Sequence, residues 1–214
     1  MRKQSYINRS DVKTYLAKAD PNVLSYIEQC ETQIDKLAEI GYQLSKERDL
    51  PTLLNLIIEE GMRITNSDGG TLYLMTEDNR LAFEIMKTKT LGTDMGGISG
   101  NPIPEQIYPV KLYSPDGTPN HHNVSAYVGL TGNTLNIPDA YENDEFDFSG
   151  AKGFDERFGY RSKSFLTIAM KNHENDTIGV LQLLNAADPQ TEEIIPFSED
   201  MQKLIESLAS QAAV

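Results

Sequence analysis

Residues 71–88 read TLYLMTEDNRLAFEIMKT. Two runs rich in branched and aromatic side chains, Thr71–Thr76 and Arg80–Thr88, flank the polar triplet Glu77-Asp78-Asn79. Such a triplet has the length and polarity of a hairpin connection, so the stretch predicts two antiparallel strands. A second pair follows near the end of the chain, where SFLTIAMK (164–171) and TIGVLQLLNA (177–186) enclose the polar turn NHEND. Strands that arrive in consecutive pairs, with helices at the ends and in one central crossover, predict an α+β fold with a mainly antiparallel central sheet.

Helix signals frame these strands. Asp49-Leu50-Pro51 opens a helix whose Leu53, Leu54, Ile57, Ile58, Gly61, Met62 and Ile64 cover one broad face, and the turn-forming cluster Asn66–Gly70 predicts its stop. Ser198 predicts the cap of a final helix, with Glu199 and Asp200 where the helix dipole favours anions. Met201, Leu204, Ile205, Leu208 and Ala212 stripe that helix, and a stripe still running at Val214 suggests a longer parent protein. The N-terminal helix and the C-terminal helix are expected on one side of the sheet. On the other side are expected short helices over about 121–132 and 150–158 and a long irregular loop over 91–120, with one short strand near Ile107–Leu112.

Ahead of this domain, residues 1–48 predict a helical extension: a short helix over Asp11–Lys18, then a longer one opened by Asp20-Pro21. Val23, Ile27, Cys30, Ile34, Leu37, Gly41 and Leu44 recur at alternating spacings of three and four. That period fits either a seam between two paired helices or a surface helix packed on its own domain.

With 39% hydrophobic residues the 214-residue chain can build a sizeable core. A formal net charge of −13 disfavours nucleic acid and anionic membrane as partners. The chain has no run of about 18 apolar residues, and its basic N-terminus has no apolar stretch behind it, so a cytoplasmic location is expected. The single Cys30 leaves no intrachain disulfide framework and no cysteine-rich zinc site. Residues 137–172 are more unusual. Phe146, Phe148, Phe154 and Phe158 stand among seven carboxylates between Asp139 and Tyr160. The carboxylates do not have the spacing of a calcium loop, so a solvated face and no metal is the expectation. The phenylalanines read either as a lid over the sheet or as plugs that seal one end of it. His121-His122 reads as a capping or surface pair. No nucleophile elbow, phosphate loop or paired-carboxylate signature appears, so no catalytic residue is expected.

Taken in order, GGTLYLMTEDNRLAFEI, VGLTGNTLNIPDAY, GYRSKSFLTIAMKN and IGVLQLLNAAD…FSEDMQKLIESLASQAAV resemble a GAF domain over residues 49–214. They are most similar to the GAF domains of cyclic-nucleotide phosphodiesterases, adenylyl cyclases and bacterial HD-type (HD-GYP) phosphohydrolases. The resemblance implies a sensory domain that binds a small molecule and controls an output domain, with a homodimer through terminal helices. A dimerisation module without a ligand is the alternative. It also implies where a ligand would sit: at Thr71 on the first strand, Met86 and Lys87 at the end of the second, and Val124 and Ser125 at the start of the central helix. Phe148 (with Phe146 as the alternative) is implied in the acidic segment, Phe158 and Ser162 around Gly159, and Gln182 on the last strand. Guanine-binding members carry a Phe-Asp pair where this chain has Met86-Lys87. An ammonium donates only and cannot accept from guanine N–H groups. The resemblance therefore favours cAMP over cGMP, with an unrelated small molecule left open. Of the family's Asn-Lys…Phe…Asp-Glu motif this chain keeps Asn185 and Phe197, with Ala186, Met201 and Gln202 at the other positions.

Overall fold

A computed structural model describes residues 21–211, which fall into two compact units divided between Lys46 and Glu47. The expected helix over 11–18, the Asp20 cap, the side chain of Leu37 and the Ala212 end of the last stripe lie outside what is described. The first unit contains one helix, α1 (Pro21–Lys46). Val23 is 48% exposed on it and Ile34 65% exposed.

The second unit begins with α2 (Leu50–Thr65). Asp49 caps it by accepting from the Thr52 amide at 3.1 Å, with Pro51 in the first turn, where a missing N–H removes no helical bond. The helix stops at Asn66, whose left-handed backbone (φ 48°) reverses the chain. Asn66 does this alone. The expected turn cluster is instead the start of strand β1 (Ser67–Met75), in register with Leu183 and Leu184 as early as Gly70 and Gly69. Gly70 lies directly beneath α2, where a Cβ would approach Ile58 Cγ1 to 3.0 Å. Glycine here serves close helix–sheet packing.

Strand β2 (Arg80–Thr88) pairs antiparallel with β1, and β3 (Thr93–Gly96) pairs with β2, as does the short β4 (Val110–Lys111). The 91–120 segment thus contains two edge strands. The first was not expected, because its TDMG sequence, with little strand propensity of its own, becomes a strand only by pairing with Ile85–Thr88. Between Leu72↔Ile85 and Tyr73↔Phe83 the register slips by one, leaving Glu84 as a bulge. The Glu84 carbonyl accepts from the Gly97 amide at 3.0 Å, and Gly96, at φ 76°, has no Cβ to overlap that oxygen.

The chain continues through α3 (Val124–Thr131), β5 (Leu135–Ile137), α4 (Ser149–Phe158), β6 (Phe165–Lys171), β7 (Thr177–Ala187), β8 (Ile194–Ile195) and α5 (Glu199–Gln211). The sheet runs β3-β2-β1-β7-β6-β5, every pairing antiparallel, with β4 on β2 and β8 on β7. This is the expected α+β arrangement. Alternation along β7 separates two faces. Leu181 and Leu183 point to the face covered by α2, where they meet Gly61, and by α5 with its buried Ile205 and Leu208. Val180, Gln182 and Leu184 point to the face covered by α3, α4 and the connecting loops. The second face carries the candidate site.

Candidate functional site

Antiparallel register places Thr71 beside both Gln182 and Met86, so three neighbouring strands contribute side chains to one patch of the sheet. The Gln182 amide nitrogen donates to Thr167 Oγ1 at 3.0 Å and to Ser125 Oγ at 3.3 Å. Its carbonyl oxygen accepts from the Tyr73 hydroxyl at 3.4 Å. Burial pushes the Tyr73 phenol up to about 12, partly offset by the Ser125 and Thr71 hydroxyls beside it. The result is a buried polar network joining β1, β6, β7 and the first turn of α3. Asn123 fixes that turn by capping the Ala126 amide at 3.0 Å.

The acidic segment crosses over this floor. Its inner side is apolar: Phe146 meets Tyr127 edge-on at 5.5 Å and Phe148 packs on Phe165 at 5.1 Å, within a cluster that includes Val124, Ile137 and Ala140. Both rings are buried, so the aromatic residues act as plug and lid together. Two anchors, one buried and one half-buried, hold the far end of α4. Asp155, only 3% exposed, accepts from the Ser162 amide (2.7 Å), the Ser162 hydroxyl (2.8 Å) and the Tyr141 hydroxyl (2.7 Å). Tyr160 donates to Asp68 Oδ2 at 2.5 Å and accepts from Asn185 Nδ2 at 3.0 Å. Burial first, and the Asp68 carboxylate second, hold the Tyr160 phenol above the usual range. Asn185 also accepts from the Lys163 amide (2.7 Å) and donates to the Arg161 carbonyl (2.8 Å), so one side chain clamps the 160–164 segment onto β7.

Between floor and lid lies a cavity of about 460 Å³, within the usual range for small-molecule pockets. Thr71, Met86, Val124, Ser125, Phe148, Ser162 and Gln182 all line it. Of the two aromatic candidates in the acidic segment, Phe148 borders the space and Phe146 does not. Two further positions need correction. Phe158 is outside the cavity, 51% exposed at the end of α4 and stacked on Phe154 at 4.5 Å. One turn earlier, Phe154 lines the space in its stead. Lys87 borders the cavity along its strand, but alternation turns its ammonium to the opposite face. There it pairs with Glu59 of α2 at 3.0 Å and Asp94 of β3 at 3.1 Å. Burial would lower its pKa, and the two carboxylates outweigh that and raise it. A second hollow, of about 520 Å³, lies around this pair on the α2 side.

Tyr73, Phe83, Asp155 and Tyr160 are additions that the sequence had not pointed to. Tyr73 follows Thr71 by two along a strand, so period-two alternation alone could have placed it. Phe83 could not have been placed, because the Glu84 bulge decides its face. Among the described residues no group of three His, Cys, Asp or Glu side chains is arranged to hold a metal.

The profile of the GAF domain family matches residues 49–214. The chain belongs to the GAF domain family. A 91-residue stretch, 42% of this chain, is 33% identical to the dual 3',5'-cyclic-AMP and -GMP phosphodiesterase 11 of Drosophila melanogaster, and the match spans 6% of that protein's length. Among solved structures, the GAF domain of an Acinetobacter phosphoenolpyruvate-protein phosphotransferase superposes with a TM-score of 0.58 at 18% identity, over 85% of this chain and 90% of that one. Residues 122 to 287 of a methyl-accepting chemotaxis protein give 0.54 at 17% identity, over 81% and 92%. At these identities the likeness is one of fold. GAF domains are sensory, small-molecule-binding regulatory modules of signalling proteins. No helix among the described residues is long and apolar enough to cross a membrane.

Proposed function

We propose that this GAF domain binds a cyclic nucleotide, cAMP in preference to cGMP, in the cavity between β1, β7 and α4. Binding then changes the packing of α5, and α5 passes the change to an output domain of the phosphohydrolase or cyclase class. The observation that carries this reading is the half-open space between the Gln182 floor and the Phe148 lid, polar below and aromatic above. A planar base between Phe148 and Phe154 would lose apolar surface to the lid, at roughly 25 cal/mol per Å². The start of α3, at Val124 and Ser125, presents backbone N–H groups suited to an anion. With the Lys87 ammonium on the far face and Met86 facing inward, this edge of the cavity has no carboxylate to accept from guanine N–H groups, which supports cAMP. The chain's local identity to a phosphodiesterase named for both nucleotides supports the ligand class.

Side chains of the sheet reach α5 and the segment before it. Asn136 of β5 donates to Gln202 Oε1 in α5 at 3.2 Å and to the Phe197 carbonyl just ahead of the helix at 3.0 Å, and Ser164 donates to the Ile195 carbonyl of β8 at 2.9 Å. A ligand that prefers the closed lid shifts this equilibrium by no more than its differential affinity for the two states. Calorimetric titration with cAMP, cGMP and cyclic dinucleotides tests the reading. Heat from cAMP with tighter binding than cGMP is expected, and silence from all of them removes cyclic nucleotides.

A second reading rests on α1, where Val23 and Ile34 of the heptad series are exposed. Here the helix pairs with its counterpart in a second copy, and the GAF domain serves as a dimerisation module. Glutamate at both Ile34 and Leu37 is expected to give monomers by native mass spectrometry, and an unchanged mass refutes the pairing.

A further inference from the structure

We propose that Asp155, a residue outside the cavity wall, decides which hydrogen-bonding groups the cavity accepts, by fixing the direction of the Ser162 hydroxyl. The inference rests on the reading of the cavity as the ligand site. A serine hydroxyl has one hydrogen to give. In Ser162 that hydrogen goes to Asp155 Oδ1 at 2.8 Å, and a carboxylate only accepts, so the direction cannot reverse. Asp155 Oδ2 is occupied by the Ser162 amide and the Tyr141 hydroxyl, and Asp155 is 3% exposed, so solvent offers no competing partner. Toward the cavity Ser162 therefore shows only lone pairs. The ligand group that meets it must donate, as an exocyclic amine does. A carbonyl oxygen at that point would face another acceptor, with both desolvated and neither paired.

On the floor, both amide hydrogens of Gln182 are committed to Ser125 and Thr167 and the Tyr73 hydroxyl to Gln182, while the Thr71 and Ser125 hydroxyls can still turn a hydrogen toward a guest. Ser162 differs from them because a buried carboxylate holds its hydrogen, so at that point the donor or acceptor character of a guest is read, and Asp155 is the positioning residue that sets it.

The substitution Asp155→Asn is isosteric and makes the test sharp. The amide oxygen can keep the Ser162 amide and Tyr141 contacts while the amide nitrogen donates to Ser162 Oγ. The serine hydrogen is then released toward the cavity, so the preference inverts. Cyclic AMP and cyclic inosine monophosphate, which carries an oxo group in place of the amine, are titrated into the wild-type domain and the Asp155→Asn variant. The ratio of the two affinities is expected to move by about tenfold or more toward the oxo probe, the size of one hydrogen bond gained against one lost. An equal change for both probes overturns the inference. If Asp155→Asn does not fold, Ser162→Ala takes its place. It is expected to weaken the amino probe about tenfold and leave the oxo probe unchanged, and equal weakening again overturns the inference. A ligand-free readout separates this from the cyclic-nucleotide reading: proton NMR should find a slowly exchanging Ser162 hydroxyl that disappears in Asp155→Asn. If that signal is present and neither nucleotide binds, the polarity of Ser162 stands and the cyclic-nucleotide assignment falls. Without the signal, the inference falls whatever binds.

Discussion

The Tyr160 hydroxyl bridges Asp68 on the first strand and Asn185 on β7, at 2.5 Å and 3.0 Å. One phenol thereby fastens the end of the lid helix to two central strands. Its replacement by phenylalanine strands a carboxylate and an amide together. Tyr160→Phe is expected to cost about 1–3 kcal/mol in urea unfolding and to speed ligand release. A loss within experimental error would show that the bridge holds nothing.

The same phenol sets a response to alkali. Folded Tyr160 and Tyr73 both ionise above the usual value near 10, so above about pH 10 the unfolded chain gives up protons that the folded one retains. Their contribution is complete below that pH and is lost as pH rises toward about 12, the folded value of Tyr73. Stability measured from pH 8 upward should be flat and then fall above 10, less steeply in Tyr160→Phe. A slope identical in the two proteins would contradict the assignment.

Gln182→Leu removes the centre of the floor network and leaves Tyr73, Thr167 and Ser125 short of a partner in a dry environment. A cost of about 2–4 kcal/mol is expected, larger than a single exposed hydrogen bond would give. Adding Thr167→Val should cost less in the variant than in the wild type, and strict additivity would mean that no network exists.

The lid helix carries glycine at 150 and 153, each with open space where a Cβ would stand. Gly150→Ala and Gly153→Ala are each expected to stabilise by about 0.5–1 kcal/mol and to slow ligand exchange. Gly96→Ala should destabilise severely, since a Cβ there overlaps the Glu84 carbonyl. Thermal melts of the three variants give the comparison directly.

Lys87→Met breaks the pairing with Glu59 and Asp94. Both carboxylates are half-exposed, so the cost should stay below about 1 kcal/mol and shrink in high salt. Because the ammonium faces α2, cyclic-nucleotide affinity should not change, and a marked loss would put the side chain back in the cavity.

The local signals that could be read from sequence were those that act within a few residues. The 77–79 turn, the Asp49 and Ser198 caps and the apolar faces of α2 and α5 each depend on neighbours in the chain, and each appears in the structure. Thr71, Ser125 and Gln182 were reachable because the resemblance to GAF domains runs in order along the strands. The difficulties lay where pairing and packing decide and no residue type announces the outcome. TDMG becomes β3 only against β2. Lys87 and Phe158 both look inward on the resemblance, yet strand parity and the last turn of α4 send them elsewhere. Asp155 sits among six other carboxylates in the lid segment, and nothing in the sequence separates the buried one from the solvated rest.

The bulge at Glu84 has an electrostatic consequence. In an unbroken ladder Tyr73 would oppose Glu84, and that carboxylate would enter the hollow where Phe83 now lies against Tyr73, ring centres 4.7 Å apart. In a protein with thirteen surplus negative charges, one supernumerary residue in a strand spares the interior a further anion. A phosphate-bearing guest can then approach the start of α3 without meeting repulsion from the sheet.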